Sequence, residues 1–237
     1  MIPVSIVMTI YNRQSFLAYA IESILVQTMA NFQLILWDDG STDDSQAIAE
    51  HYARLDSRID FLAAPHYGRS TALVKAMSLV TGKYFGLVDS DDALSPTCLE
   101  ETLKVLETNP NQGMVYTDYL TMNDIGFNTG NGFRCRTIYS ADTLLSEFCT
   151  FHFRLIRMNL YKDIGGFDES FKLAQDYDLC LRLAEVTDFF HLHQPLYRYR
   201  VHKNSLSQSQ RAEQALYAER AMRNAYFRRN RLNYLEE

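Results

Sequence analysis

The sequence predicts an α/β fold, doubly wound about a mostly parallel sheet, with a C-terminal helical extension. Three observations carry that expectation. Short runs rich in β-branched and aromatic residues alternate with stretches whose apolar residues recur at helical spacing, the pattern of parallel strands joined by crossover helices. Two apolar runs end in closely spaced carboxylates, Asp38-Asp39 and Asp89-Ser90-Asp91-Asp92. That places hard oxygen ligands at the carboxyl edge of the sheet, where open α/β folds bind their ligands. Finally, 237 residues with 47% hydrophobic content suffice for one large domain, or one domain and a tail, around a substantial core.

Taken in order, residues 4–10 form an apolar run that reads as a buried strand. Over residues 14–27, Phe16, Leu17, Ala20, Ile21, Ile24 and Leu25 fall on one side of a helix. Residues 32–37 read as a second strand and 43–55 as a second helix. Residues 58–62 and 84–88 supply two more strands, with a helix over 69–79 between them. After Val115 the pattern loosens. Residues 118–138 are polar, with a turn signal at Asn128-Thr-Gly-Asn-Gly132, and are expected to form a mobile loop or hairpin over a site. Residues 207–235 read as a long helix, with Ala212, Ala215, Leu216, Ala218, Ala221, Met222 and Ala225 on one side.

Composition excludes several classes. A net charge of −6 argues against a nucleic-acid partner, whose electrostatic footprint would be basic. Cys98, Cys135, Cys149 and Cys180 lack CxxC spacing, so neither a zinc cluster nor a redox pair is indicated, and a reducing compartment is the simpler reading. With no apolar stretch of membrane-span length and no charged leader, the expectation is a cytoplasmic protein. Residues 211–231 hold six Arg against two Glu. That excess would suit peripheral contact with anionic lipid at the inner membrane face, or a homo-oligomer contact through the 207–237 tail. The ordinary alternative is a solvated face on a helix packed against its own domain.

The chemistry concentrates at four places. Asp89 and Asp91 repel each other unless a cation lies between them, and their oxygens select Mg²⁺, Mn²⁺ or Ca²⁺; a turn with a helix start at Ser95-Pro96 would use the same residue types. Asp38-Asp39-Gly40-Ser41-Thr42 makes a tight turn, but a turn alone does not require two carboxylates, and one of them could accept the ring N–H of uracil. Tyr11, ending the first strand, could stack on the same base or pack at the rim. Asp176, in Gln175-Asp-Tyr-Asp-Leu179, opens a helix: it either compensates the helix dipole or serves as a general base. Local pattern does not separate the two.

Together, Val4-Ser-Ile-Val-Met-Thr-Ile-Tyr-Asn12, Ile24-Leu-Val-Gln-Thr28, Asp38-Asp-Gly-Ser-Thr-Asp43, Asp89-Ser-Asp-Asp92, Gly165-Gly-Phe-Asp168 and Gln175-Asp-Tyr-Asp-Leu179 resemble the family 2 glycosyltransferases with a GT-A fold. The resemblance implies a domain over 1–206, with a nucleotide-binding half (1–117) and an acceptor-binding half (118–206), followed by a tail over 207–237. It implies Asp39 at the uracil with Asp38, Thr9 and Tyr11 nearby, and Asp89, Ser90 and Asp91 at a D-x-D site holding Mn²⁺ or Mg²⁺ against the diphosphate. It implies Asp176 as catalytic base and His202 near the metal. The chain departs from the family at Gln175, where a Glu is customary, and at Ala72-Leu73-Val74, where a donor-binding Arg or Asn is missing and Arg69 or Lys75 could substitute. His152-Phe153-Arg154 and the stretch around Asp176 are similar to the glucuronic-acid-transferring half of bacterial hyaluronan and chondroitin synthases. That points to His152, Arg154 and Gln175 at the donor or acceptor sugar, Arg154 pairing with a hexuronic carboxylate.

The implied activity is inverting transfer from a UDP-sugar to a saccharide or lipid-linked acceptor in bacterial polysaccharide or glycolipid synthesis. Two alternatives stand beside it. A metal-dependent aspartyl phosphatase would use Asp89 as nucleophile and Asp91 as acid/base, leaving Asp38-Asp39 unexplained. An inactive nucleotide-sugar-binding domain would explain Gln175 and Val74. A nucleotidyltransferase would want a Gly-rich phosphate loop, and Thr9-Ile-Tyr-Asn-Arg13 contains no Gly.

Overall fold

The computed structural model describes residues 2–203, 205 and 210–233. One sheet of nine strands runs through it in the order β3 (Ile59–Ala64), β2 (Phe32–Asp39), β1 (Val4–Ile10), β4 (Tyr84–Leu87), β8 (Arg154–Arg157), β6 (Gln112–Met122), β9 (Asp188–Arg200), β5 (Ala93–Leu94), with β7 (Asn128–Asn131) paired to β6. The long ladders, β1 with β2 and β4, β2 with β3, and β6 with β9, are parallel, whereas β8, β5 and β7 join antiparallel.

Two hydrophobic clusters, one on each face, explain why the sequence alternates as it does. Val4, Ile6, Met8 and Ile10 of β1 point to one face and Val7 to the other, the two-residue period of a strand. On the first face lie α1 (Leu17–Leu25), which buries Leu17, Ala20, Ile21 and Ile24, and α4 (Cys98–Thr108). Each fully buried Leu or Ile contributes about 1.5–3 kcal/mol. On the second face lie α3 (Arg69–Met77), α7 (Gln175–Leu183) and α8 (Arg211–Asn233). β2, buried along its whole length, is covered on both faces, and so its sequence is continuous rather than alternating.

Several elements differ from expectation at their ends. The first helix begins at Leu17 rather than 14, because Arg13 to Phe16 form a turn in which the Arg13 carbonyl accepts the N–H groups of Phe16 and Leu17. α2 spans Ser45–Leu55. Residues 118–122 continue β6 instead of opening a loop, because pairing with β9 and β7 carries the strand to Met122. The rest of the expected loop is the β6–β7 hairpin and a three-ten turn at Phe133–Arg136. α5 (Ala141–Ser146) and α6 (Met158–Asp163) complete the chain. Of the expected C-terminal helix, 207–209 and 234–235 lie outside the described residues. What is described packs on the domain: Arg228 meets Glu185 at 2.8 Å, and Arg220 donates to Ser170. No helix among the described residues is long and apolar enough to cross a membrane.

Candidate active site

The carboxyl ends of β1, β2 and β4 meet at one edge. The turn after β2 is tied to the end of β1: Asp38 Oδ1 accepts the Ser41 N–H (2.9 Å), Asn12 Oδ1 accepts the Thr42 N–H (2.8 Å), and Ser41 Oγ accepts the Asn12 N–H (3.0 Å). Gly40, at φ +77°, admits no side chain, since a Cβ there would lie 2.7 Å from the His66 nitrogen. Asp39 is buried, and its carboxylate accepts the N–H groups of Tyr67 and Gly68 at 2.9 Å each and faces His66 Nδ1 at 2.9 Å. The His66 ring stacks on Tyr11 at 4.1 Å. Tyr11, Asp39, His66 and Gly68, with Thr9, Arg69 and Ser90, line a cavity of about 280 Å³.

Beyond β4, three carboxylates in four residues are each held differently. Asp89 Oδ1 accepts from Arg69 at 2.7 Å. Asp91 Oδ2 lies 2.8 Å from His202 Nε2 and 3.4 Å from Arg13 Nε. Asp92 is buried and accepts the Tyr197 hydroxyl and the Arg200 N–H, both at 2.7 Å. Burial would raise the Asp89 carboxyl, but Arg69, His152 and Arg154 together outweigh it and hold that group below the usual carboxylate range. Among the described residues no cation lies against the Asp92 carboxylate; burial first, then Asp91 and Asp89, push it well above that range.

The fourth wall comes from α7. Ala174 adopts a left-handed φ of 56° immediately before it, turning the chain so that Gln175 and Asp176 border the cleft. The Gln175 amide donates to Ser70 Oγ and the Lys172 carbonyl, both at 2.7 Å, fixing α7 to α3. Asp176 Oδ2 accepts from Arg154 Nη2 at 2.8 Å. Arg154 is 4% exposed and is itself held by the Thr150 carbonyl (3.0 Å), His152 (3.2 Å) and the Phe148 ring. Burial would raise Asp176, yet Arg154, His152 and Arg69 together outweigh it and lower the group. The His152 ring, pushed down to about 4 by burial and then by Arg154, is neutral at neutral pH.

Asp89, Asp91, His152, Gln175 and Asp176 therefore line one cleft of about 690 Å³, which shares Arg13, Arg69, Ser90 and Leu173 with the cavity at Asp39. That volume suits a small-molecule ligand. Three expected residues lie elsewhere. Asp38 is fully buried and serves the turn, its Oδ2 having no hydrogen-bond partner among the described residues. Lys75 is exposed and sits over the Tyr67 ring, so of the two candidate cations only Arg69 reaches a carboxylate. Arg154 stands behind Asp176 rather than on the cleft wall, its donors already committed inside. Asp168 and Asp178 are structural: Asp168 accepts the Ser170 N–H, and Asp178 binds Arg182, which donates to the carbonyls of Ile164 and Gly166.

Sequence reasoning missed Arg13, His66, Tyr197, Arg200 and the cleft-facing side of α8, including Arg211, Gln214 and Met222. Arg13 alone carried a local signal, one residue past Asn12 at a strand edge. The others reach the site only through tertiary packing.

The site is a composite of a smaller cavity at Asp39, an acidic strand end and a helix-borne carboxylate on an α/β sheet. The model of glycosyl transferase family 2 matches residues 5–165, and the chain belongs to that family. It is 34% identical over 205 residues to the chondroitin synthase of Escherichia coli, covering 86% of this chain and 30% of that protein. It is 30% identical over 204 residues to the hyaluronan synthase of Pasteurella multocida, covering 86% of this chain and 21% of that protein. The chain thus spans less than a third of the length of these relatives. Among solved structures, S. aureus TarS 1-349 in complex with UDP superposes with a TM-score of 0.73 at 16% identity, covering 94% of this chain and 65% of that one. The mannosyltransferase PcManGT from Pyrobaculum calidifontis, in complex with GDP-Man and Mn²⁺, gives 0.73 at 18% identity, covering 93% and 64%. The fold is GT-A, as the sequence predicts.

Proposed function

We propose that this domain transfers a sugar from a UDP-sugar to an acceptor hydroxyl with inversion at the anomeric carbon. The observation that carries it is the single cleft joining Asp89, Asp91 and Asp176 to the cavity at Asp39. Asp39 uses three of the roughly four acceptor positions a carboxylate offers, leaving one for the uracil ring N–H, with the Tyr11 ring beside it. Arg13 and Arg69 flank the acidic strand end, where the diphosphate charge would lie.

The donor set of Asp89 and Asp91 carboxylates, with the His202 imidazole 2.8 Å from Asp91, fits Mn²⁺ or Mg²⁺. When bound, such an ion supplies Lewis-acid compensation for charge developing on departing UDP. Asp176, oriented by Arg154, accepts the proton of the acceptor hydroxyl. The hydroxyl oxygen bonds to the anomeric carbon as the bond from that carbon to the UDP oxygen breaks, its electron pair leaving with UDP. Single displacement inverts the centre. β6, through Tyr119 and Thr121, and α8 border the acceptor side, and α8 contributes Gln214, Ala218 and Met222 to the cleft. Family membership leaves the aspartyl-phosphatase alternative without support.

Thermal stability with UDP and Mn²⁺ tests the reading, alongside UDP release from a panel of UDP-sugars. UDP with Mn²⁺ should raise Tm. Asp176→Asn should keep that rise while turnover falls by about 10²–10⁴-fold. Absence of any shift, or an Asn variant that turns over normally, overturns the assignment.

A further inference from the structure

Where β6 and β9 fall out of register, three metal-ligating side chains come together, none of them lining the cleft. Thr117 pairs with Leu192 but Asp118 pairs with Pro195, so β9 carries two extra residues, His193 and Gln194, across one step of β6. Such bulges re-aim side chains. His191 and His193, two apart on an extended strand, share a face, and the bulge sets both against Asp118. Asp118 Oδ1 lies 2.8 Å from His191 Nε2, the two imidazole rings are 3.8 Å apart, and one ligand atom from each of the three residues lies within 4.8 Å of the others. Behind them the Tyr116 ring stacks on His191 at 4.3 Å and 19°, fixing the imidazole plane as outer-shell contacts of metal ligands do.

We propose that Asp118, His191 and His193 form a second divalent-cation site, suited to Zn²⁺ and distinct from the oxygen-rich strand end in the cleft. Two imidazoles and one carboxylate are a borderline donor set of the kind Zn²⁺ and Co²⁺ prefer, whereas Mg²⁺ and Mn²⁺ favour oxygen. Ligand bonds of about 2.0–2.2 Å place tetrahedral donors roughly 3.3 Å apart. The 2.8 Å contact is already inside that spacing, and the remaining separations, at most 4.8 Å, must close by side-chain rotation when the ion binds. The cation takes the place of the proton between Asp118 Oδ1 and His191 Nε2. His193 is exposed, so the site is open to solvent and keeps a coordination position for water. Bound there, the ion clips β6 to β9 at the point where the backbone ladder is interrupted.

Equilibrium dialysis against Zn²⁺, with Co²⁺ visible absorption as a second readout, tests this on the intact chain. Asp91→Asn removes a carboxylate of the cleft and should retain the bulge equivalent and its Co²⁺ band. His193→Ala and Asp118→Asn should each weaken that binding by at least about tenfold, the lower end of what even outer-shell changes do, and abolish the band. Zn²⁺ uptake by His193→Ala equal to wild type, or wild-type uptake that Asp91→Asn removes completely, refutes the site.

Discussion

Arg154→Met separates a positioning role from a substrate-binding one. The change keeps side-chain bulk but removes the guanidinium 2.8 Å from Asp176. It also strips a donor from the Thr150 carbonyl. Breaking a buried ion pair by removing one partner costs about 3–5 kcal/mol. Asp176 keeps 28% of its side chain exposed, so water recovers part of that, and about 3 kcal/mol is the expected loss. At roughly 2–4 °C per kcal/mol for a chain of this size, Tm should fall by about 6–12 °C. Arg154 lowers Asp176, so that contribution to stability is fully present above the unfolded carboxyl value near pH 4 and is lost as pH falls through the lower folded value. The Tm gap between wild type and variant should therefore be full at neutral pH and narrow on acidification. Turnover reports the same group. In the proposed reaction a deprotonated Asp176 is the base, so without Arg154 the acid limb of the pH–kcat profile should move upward. Measuring UDP release from pH 3.5 to 8 together with Tm decides the matter. An unmoved acid limb with normal Tm would mean that Arg154 does not hold Asp176.

Two further outcomes follow from the geometry. Asp91→Ala should abolish the part of the UDP-induced Tm rise that depends on Mn²⁺; an unchanged difference between UDP alone and UDP with Mn²⁺ would place the cation elsewhere. Gly86→Ala should destabilise by about 1–3 kcal/mol, because a Cβ there lies 2.3 Å from Cζ of the fully buried Phe153 and 3.1 Å from the Arg154 carbonyl. Urea unfolding measures it, and a variant as stable as wild type would show that β4 and β8 separate freely.

The acidic edge of the cleft was legible because its residues are consecutive. Asp38-Asp39-Gly40 and Asp89-Ser90-Asp91 follow strands whose apolar runs announce them, and strand ends at one sheet edge are neighbours by topology. The same local logic identified Asp176 as a carboxylate opening a helix. It could not say that Arg154, 22 residues earlier, would be buried behind it and lower its basicity, nor that Asp38 would be spent on its own turn. Lys75 and Arg69 looked equivalent as cations on one helix; only the direction in which each leaves α3 distinguishes them.

By itself the sequence determined the alternation of strands and helices, the acidic edge and the family motifs, since these depend on residue type and short spacing. The tertiary structure alone decided the counterions of each carboxylate, the docking of α8 along the cleft, and the meeting of Asp118 with His191 and His193 at a bulge. Charge pairing and metal ligation depend on distances of a few ångströms between residues far apart in the chain, and only packing sets those distances.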